Sequence, residues 1–312
     1  MELFAFYNVE NLFLPDSKSL HRLNPTKSGL RNWDEQKYQN KLFKIGSVFQ
    51  LMKDEYAAFP FMFGLSEISG RKVLEDLLET ADLKDVYGIV HYNSMDERKV
   101  DVALLYDKTK VEILHSEPIT FFFEIEDDNP ENYDTTRDVL WAKVKYEEQI
   151  INVFVLHLPS QKEEINRPKR DYILNSIKEK IFTLVKEHGE SAIICGDFNE
   201  NPHEDNIRQF STQENGSSLM VAPFDDLFTN QQFSTFHSKN GLLFDQILIS
   251  SDFLTNKNSL QFDSARVFKI DKLSDWNKKY FGRPYRTYAG TRYLGGYSDH
   301  FPVLIKFNKK II

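Results

Sequence analysis

Cysteine is almost absent from this chain. With Cys195 as the one thiol in 312 residues, no intrachain disulfide can form, which fits a reducing compartment. Its place in the apolar run Ala192-Ile193-Ile194-Cys195 predicts a buried strand residue rather than a reactive thiol. Long apolar runs are also missing, and no stretch approaches membrane-spanning length. Met1 leads into Leu3-Phe4-Ala5-Phe6-Tyr7 with no basic n-region, so a cytoplasmic protein without a secretory leader is expected. Positive charge is in deficit, 39 Lys and Arg against 47 Asp and Glu for a net charge of -8. That argues against a generally basic polyanion binder, but leaves room for a local basic patch.

Several catalytic signatures are missing too. There is no Gly-rich phosphate loop, no Gly-x-Ser-x-Gly elbow and no His-Glu-x-x-His pair, which excludes the commonest nucleotide-hydrolase, serine-esterase and zinc-protease patterns. No internal repeat or clear linker divides the chain, so one domain over residues 1–312 is expected.

What is present is strand-rich. Runs of Val, Ile, Phe and Tyr predict strands at Leu3–Asn8, Phe59–Ser66, Tyr87–His91, Val100–Tyr106, Val111–His115, Val139–Tyr146, Ile150–His157, Ala192–Gly196, Gln246–Ser250, Ser264–Ile270 and Pro302–Phe307. Helical spacing predicts Asp34–Lys53, with Asp34 as N-cap, Lys72–Thr80 and Pro168–His188. Strand following strand between residues 100 and 157 implies antiparallel pairing. The expected fold is α/β: two packed, mixed, largely antiparallel sheets with helices on the outside. Polar segments Asp16–Arg31, Glu126–Thr136 and Gln213–Ser218 read as long loops.

Polar groups gather where apolar strands end. Asn8 and Glu10 alternate with Tyr7 and Val9 and should project to one side of an extended chain. Glu67 follows the strand 59–66, His157 closes another, and Asp245 opens one. Asp197 and Asn199 in Gly196-Asp197-Phe198-Asn199 sit two apart at the end of a buried strand, which favours function. Asp299 and His300 precede an apolar strand in Ser298-Asp299-His300-Phe301-Pro302. Most of these read alone as turn formers, caps or core histidines. Together they form an oxygen-rich, thiol-free set, which selects a hard divalent cation such as Mg2+ or Mn2+.

The ordered segments Asn8-Val9-Glu10, Leu65-Ser66-Glu67, His157-Leu158-Pro159-Ser160, Gly196-Asp197-Phe198-Asn199, Asp245-Gln246-Ile247 and Ser298-Asp299-His300 resemble the endonuclease/exonuclease/phosphatase superfamily, in its bacterial branch. The resemblance runs over nearly the whole chain and implies a four-layer α/β sandwich of the deoxyribonuclease I type. It implies metal ligands Glu67, Asn8, Glu10 and Asp299. It also implies catalytic roles for Asp197 (base), Asn199 (phosphate or second metal), His157 and His300 (phosphate contact and proton transfer) and Asp245 (orienting His300). Arg137 and Arg286 would contact substrate, and Asp101 would orient His157.

The implied activity is metal-dependent phosphoester hydrolysis. Nucleic acid is the leading substrate, a lipid head group or small phosphoester the second, and a non-catalytic binding protein on the same fold the third. No protein partner is expected. The run Ile119-Thr120-Phe121-Phe122-Phe123 reads as an aromatic strand buried in the sandwich, in preference to a membrane-contacting hairpin. Arg22, Lys27, Arg31, Lys37 and Lys41 read as a solvated basic face, with contact to a phosphate backbone as the alternative.

Overall fold

The computed structural model describes residues 1–15, 30–94, 100–124, 133–161, 166–211, 218–255 and 258–309. Most of the three expected long loops, together with Arg22 and Lys27, lies outside the described residues.

Two six-stranded sheets face each other. In spatial order the first runs Leu260–Val267, Val303–Lys309, Glu2–Leu12, Met62–Ile68, Asp101–Asp107, Tyr87–His91. The second runs Met220–Val221, Asp245–Ser250, Ser191–Asp197, Gln149–His157, Val139–Tyr146, Val111–Ile119. Each has a single parallel pair among antiparallel neighbours: Glu2–Leu12 with Met62–Ile68, and Gln149–His157 with Ser191–Asp197. A parallel pair needs a crossover. Helix α1 (Glu35–Tyr56) supplies one, and α3 (Asn166–Phe182) the other, while α2 (Arg71–Thr80) packs beside α1.

The alternation of strand residues sets the layers. Val153, Val155, Ile193 and Cys195 point into the core shared with Phe6 and Phe63. Phe154, Leu156, Ala192 and Ile194 point the other way, against Ile173, Leu174, Ile177 and Ile181 of α3. The sheets approach closely at Gly64, where an added Cβ would sit 2.7 Å from Cys195 Sγ. Cys195 is accordingly a buried packing residue.

Boundaries moved for physical reasons. The strand expected from Phe59 starts at Met62, because Pro60 has no N–H to pair. The strand expected to stop at His115 continues through a bulge and Pro118 to Ile119; it is the edge of its sheet, where proline is tolerated. The strand expected over Ser264–Ile270 is shifted to Leu260–Val267. The helix expected to reach His188 leaves α geometry after Phe182 and closes with a wider turn, His188 N donating to Thr183 O at 3.2 Å. The aromatic run is only partly buried, in the outer layer between its sheet and α3. Phe121 is buried on the outer face and stacks edge-on against Tyr172 of α3, while Phe122 is 55% exposed.

Candidate active site

Parallel neighbours end on the same rim of a sheet, and antiparallel neighbours begin there. The rim of the first sheet therefore receives Asn8 and Glu10, Glu67, and the Asp299-His300 pair before Val303–Lys309. The rim of the second receives His157 and Asp197 side by side, with Asp245 opposite Asp197. Six short motifs spread over the chain thus converge.

Asn8 joins the two rims. Its Nδ2 donates to Glu67 Oε1 at 3.2 Å and to Asp197 Oδ2 at 3.0 Å. The same Asp197 oxygen lies 3.6 Å from His157 Nε2 and 3.9 Å from His300 Nε2. His157 Nε2 is 3.9 Å from Glu67 Oε1. Asp245 Oδ2 lies 2.6 Å from His300 Nδ1 and accepts from Ser234 Oγ at 2.5 Å. Asp197 Oδ1 accepts from Asn199 N at 2.9 Å.

Burial, then the neighbouring Asp245 charge, pushes the Asp197 carboxyl up to about 7. Burial and then Asp299 push Glu10 up to about 7. For His300 burial opposes the charge, but Asp245 overrides it and raises the imidazole well above its usual range. Burial likewise opposes ionisation of Asp299, yet His300 and then Arg286 hold its carboxyl below the ordinary value.

A family model described as the endonuclease/exonuclease/phosphatase family matches residues 3–309. The chain belongs to that family. Among solved structures it is similar to a Bacteroides vulgatus endonuclease/exonuclease/phosphatase, at 18% identity and TM-score 0.59 with 99% of each chain covered. It is similar to D. rerio TDP2 complexed with a single-strand DNA product, at 16% identity and TM-score 0.62, again over 99% of each. It is also similar to a Bacteroides thetaiotaomicron mannosyl-6-phosphatase, at 17% identity and TM-score 0.58, over 99% of this chain and 100% of that one. No curated protein matches. The two mixed six-stranded sheets with outer helices are the fold of these relatives.

Against the family pattern, the rim residues do not all face as their spacing predicts. Glu10 does not share a side with Asn8. Its backbone has φ 48°, which breaks the strand alternation, and its carboxylate accepts from Thr287 N at 2.6 Å and Tyr288 N at 3.2 Å. Asn8 turns its amide N–H, rather than its oxygen, to the two carboxylates, while Asn8 Oδ1 accepts from Glu10 N at 3.1 Å. Asn199 Nδ2 donates to Leu158 O at 3.0 Å, so in this arrangement its amide secures the loop. Asp101 does not turn to His157; it lies 3.0 Å from His91 Nε2 and accepts from Ser94 N at 2.9 Å. Arg137 Nη1 reaches the carbonyls of His157 and Leu158 at 3.4 and 3.3 Å. Arg286 Nη2 donates to Asp299 Oδ2 at 2.6 Å.

Glu10, Asn11, Glu67 and Asn199 all have φ between 48° and 63°. Non-glycine residues seldom adopt this region, and such strain collects at functional sites. The turn at Glu67 aims its carboxylate so that Oε2 accepts from Asn11 N at 3.0 Å.

Lys41 is also placed differently from its expected solvated face. It is neither solvated nor free for a phosphate backbone: it is fully buried and donates to Thr287 Oγ1 and Tyr297 O, both at 2.5 Å. Burial lowers its ammonium to about 8. The signal was its spacing, since Tyr38, Lys41, Leu42, Ile45, Val48, Phe49 and Met52 form one buried stripe of α1.

The donor chemistry fits a hard divalent cation. Glu67 and Asp197 bring two carboxylates together through Asn8, so the rim offers oxygen donors and no thiol. Asp197, Asp245 and His300 each bring one donor atom within 4.8 Å of the others.

Proposed function

We propose that this protein is a divalent-metal-dependent phosphoester hydrolase that cleaves phosphodiester bonds, with nucleic acid as substrate. The observation that carries this reading is Asp197 Oδ2, a buried carboxylate oxygen with histidine Nε2 atoms 3.6 and 3.9 Å away and Glu67 joined to it through Asn8.

Mg2+ or Mn2+ held on Glu67, with Asp299 contributing, would supply Lewis-acid stabilisation of the phosphoryl oxygens and leaving group. Asp197 orients the water that attacks phosphorus and takes its proton; a carboxyl pushed up to about 7 suits that task at neutral pH. His300, kept protonated by Asp245, donates to a phosphoryl oxygen through Nε2. His157 stands on the other side of Asp197 and does the same, with the Arg137 guanidinium placed behind it as fixed positive charge. Support for a nucleic-acid substrate comes from the similarity to TDP2, whose structure holds a single-strand DNA product.

Hydrolysis of bis-p-nitrophenyl phosphate with Mg2+ or Mn2+ tests this reading, with p-nitrophenyl phosphate in parallel. Asp197→Ala should lose nearly all turnover of the diester. Equal activity in the variant overturns the assignment. Preference for the monoester overturns the diester part and favours a phosphatase.

A further inference from the structure

Between the strands Leu260–Val267 and Val303–Lys309 the chain makes a long excursion whose first half folds back on itself. Asp275 N donates to Arg283 O at 2.7 Å and Tyr285 N to Leu273 O at 2.8 Å, and Ser274 bridges to Pro284. The tip is closed by Tyr280 N to Asn277 O at 2.8 Å and Arg283 N to Tyr280 O at 3.0 Å, with Gly282 at φ 76°. The arm is held in shape by its own backbone.

Its surface holds the two most exposed large hydrophobic side chains among the described residues. Trp276 is 80% exposed and Phe281 77%, a large apolar area that the fold itself does not use. Five of the sixteen residues from Asp271 to Arg286 are Lys or Arg against two Asp, in a chain of net charge -8. Arg283 lies 5.5 Å from the centres of both the Phe236 and Tyr280 rings. These groups line a cleft of about 180 Å³ that extends to Arg286 and Asp299 at the rim of the site. Arg286 Nε, in that cleft, is a buried donor without a hydrogen-bond partner.

We propose that the arm 271–286 binds single-stranded nucleic acid, with Trp276 and Phe281 stacking on bases while Lys278, Lys279 and Arg283 hold the backbone and lead it to Arg286. The proposal rests on the phosphodiesterase reading and specifies its substrate. Interleaved cations and exposed rings are the chemistry of single-strand recognition; in a duplex the base faces are already stacked. A bilayer is the poorer occupant. Asn277, Lys278, Lys279 and Tyr280 separate Trp276 from Phe281, and the cations continue inward through Arg283 to Arg286 at the catalytic rim, where a membrane anchor has no use for them.

The test compares the wild type with Trp276→Ala/Phe281→Ala, two exposed positions outside the catalytic set. Binding of a fluorescein-labelled 20-mer oligothymidylate is measured by anisotropy, alongside bis-p-nitrophenyl phosphate turnover. The double variant should bind the oligonucleotide at least ~10-fold more weakly, with unchanged turnover of the small diester. Inorganic polyphosphate, an anion without bases, should bind both forms alike. Unchanged oligonucleotide affinity, or equal losses for oligonucleotide and polyphosphate, overturns the stacking role while turnover upholds the enzyme. Binding of the wild type to phosphatidylserine vesicles and not to the oligonucleotide overturns the proposal in favour of a membrane surface. Absence of turnover in both forms strikes the phosphodiesterase reading instead.

Discussion

His300 Nδ1 lies 2.6 Å from Asp245 Oδ2, and that carboxylate is fully buried at the start of its strand. The contact fixes the ring so that Nε2 faces Asp197 at 3.9 Å. It also joins the two sheets, since His300 leads into one and Asp245 into the other.

Asp245→Asn keeps the shape of that side chain and removes its charge. His300 then loses the main influence that keeps it protonated. Turnover of bis-p-nitrophenyl phosphate should fall by roughly 10²–10⁴-fold, the usual scale of a positioned proton-transfer group, with KM changed far less. A variant within threefold of wild type would show that the pair is merely structural.

Glu67 carries the proposed metal, and metal binding is linked to stability. In protein stripped with EDTA, excess Mg2+ or Mn2+ should raise the unfolding free energy by about 2–3 kcal/mol at a hundredfold excess over Kd. Glu67→Ala should abolish the rise. Differential scanning fluorimetry reads this without reference to activity, and a full metal-induced shift in the variant would place the ion elsewhere.

Lys41 is an ammonium with no exposure to water, facing Thr287 and Tyr297 and opposing the charge accumulated around Glu10 and Asp299. Replacing it with methionine preserves volume but leaves Glu10 buried with less compensation. The cost should be about 3 kcal/mol in urea unfolding. Adding Glu10→Gln should recover part of the loss, a coupling that a double-mutant cycle measures. Strict additivity would disprove the electrostatic link.

Asp34 caps α1 by accepting from Lys37 N at 2.9 Å. Burial opposes its ionisation, but the Lys37 backbone and side-chain bonds hold the carboxyl below its usual value. Its contribution is therefore complete above the unfolded value, near 3.9, and is lost as pH falls through the lower folded value. Asp34→Ala should cost about 1 kcal/mol from pH 5 upwards, and the gap from wild type should narrow below about pH 4. Equal denaturation midpoints at pH 7 would show that the cap contributes nothing.

Much of the site was legible because its residues end strands. Apolar alternation locates a strand, and a polar residue at its end lies at a sheet rim, which puts His157, Asp197, Asp245 and His300 there; most read singly as turn formers or core histidines, and their expected roles came from the resemblance of the ordered set. Glu10 could not be oriented in this way. Alternation assumes extended backbone, and the left-handed turn at Glu10 and Asn11 redirects the carboxylate to Thr287 and Tyr288. Lys41 followed helical spacing into the core, but its charge argued for water. The carbonyl and hydroxyl brought by the segment 287–297, with the nearby Glu10 and Asp299 carboxylates, make its burial tolerable.

The sequence by itself determined the strand-rich α/β class, the places of the three main helices and the order of the motifs, because periodicity and residue chemistry are local properties. Tertiary structure alone decided that Asn8 bridges Glu67 and Asp197, that Asp101 serves His91, and that the exposed rings of Trp276 and Phe281 share an arm with a cleft to the rim. Those relationships join residues up to 189 positions apart. They are set by how the two sheets pack and by backbone turns at single residues, which no local pattern encodes.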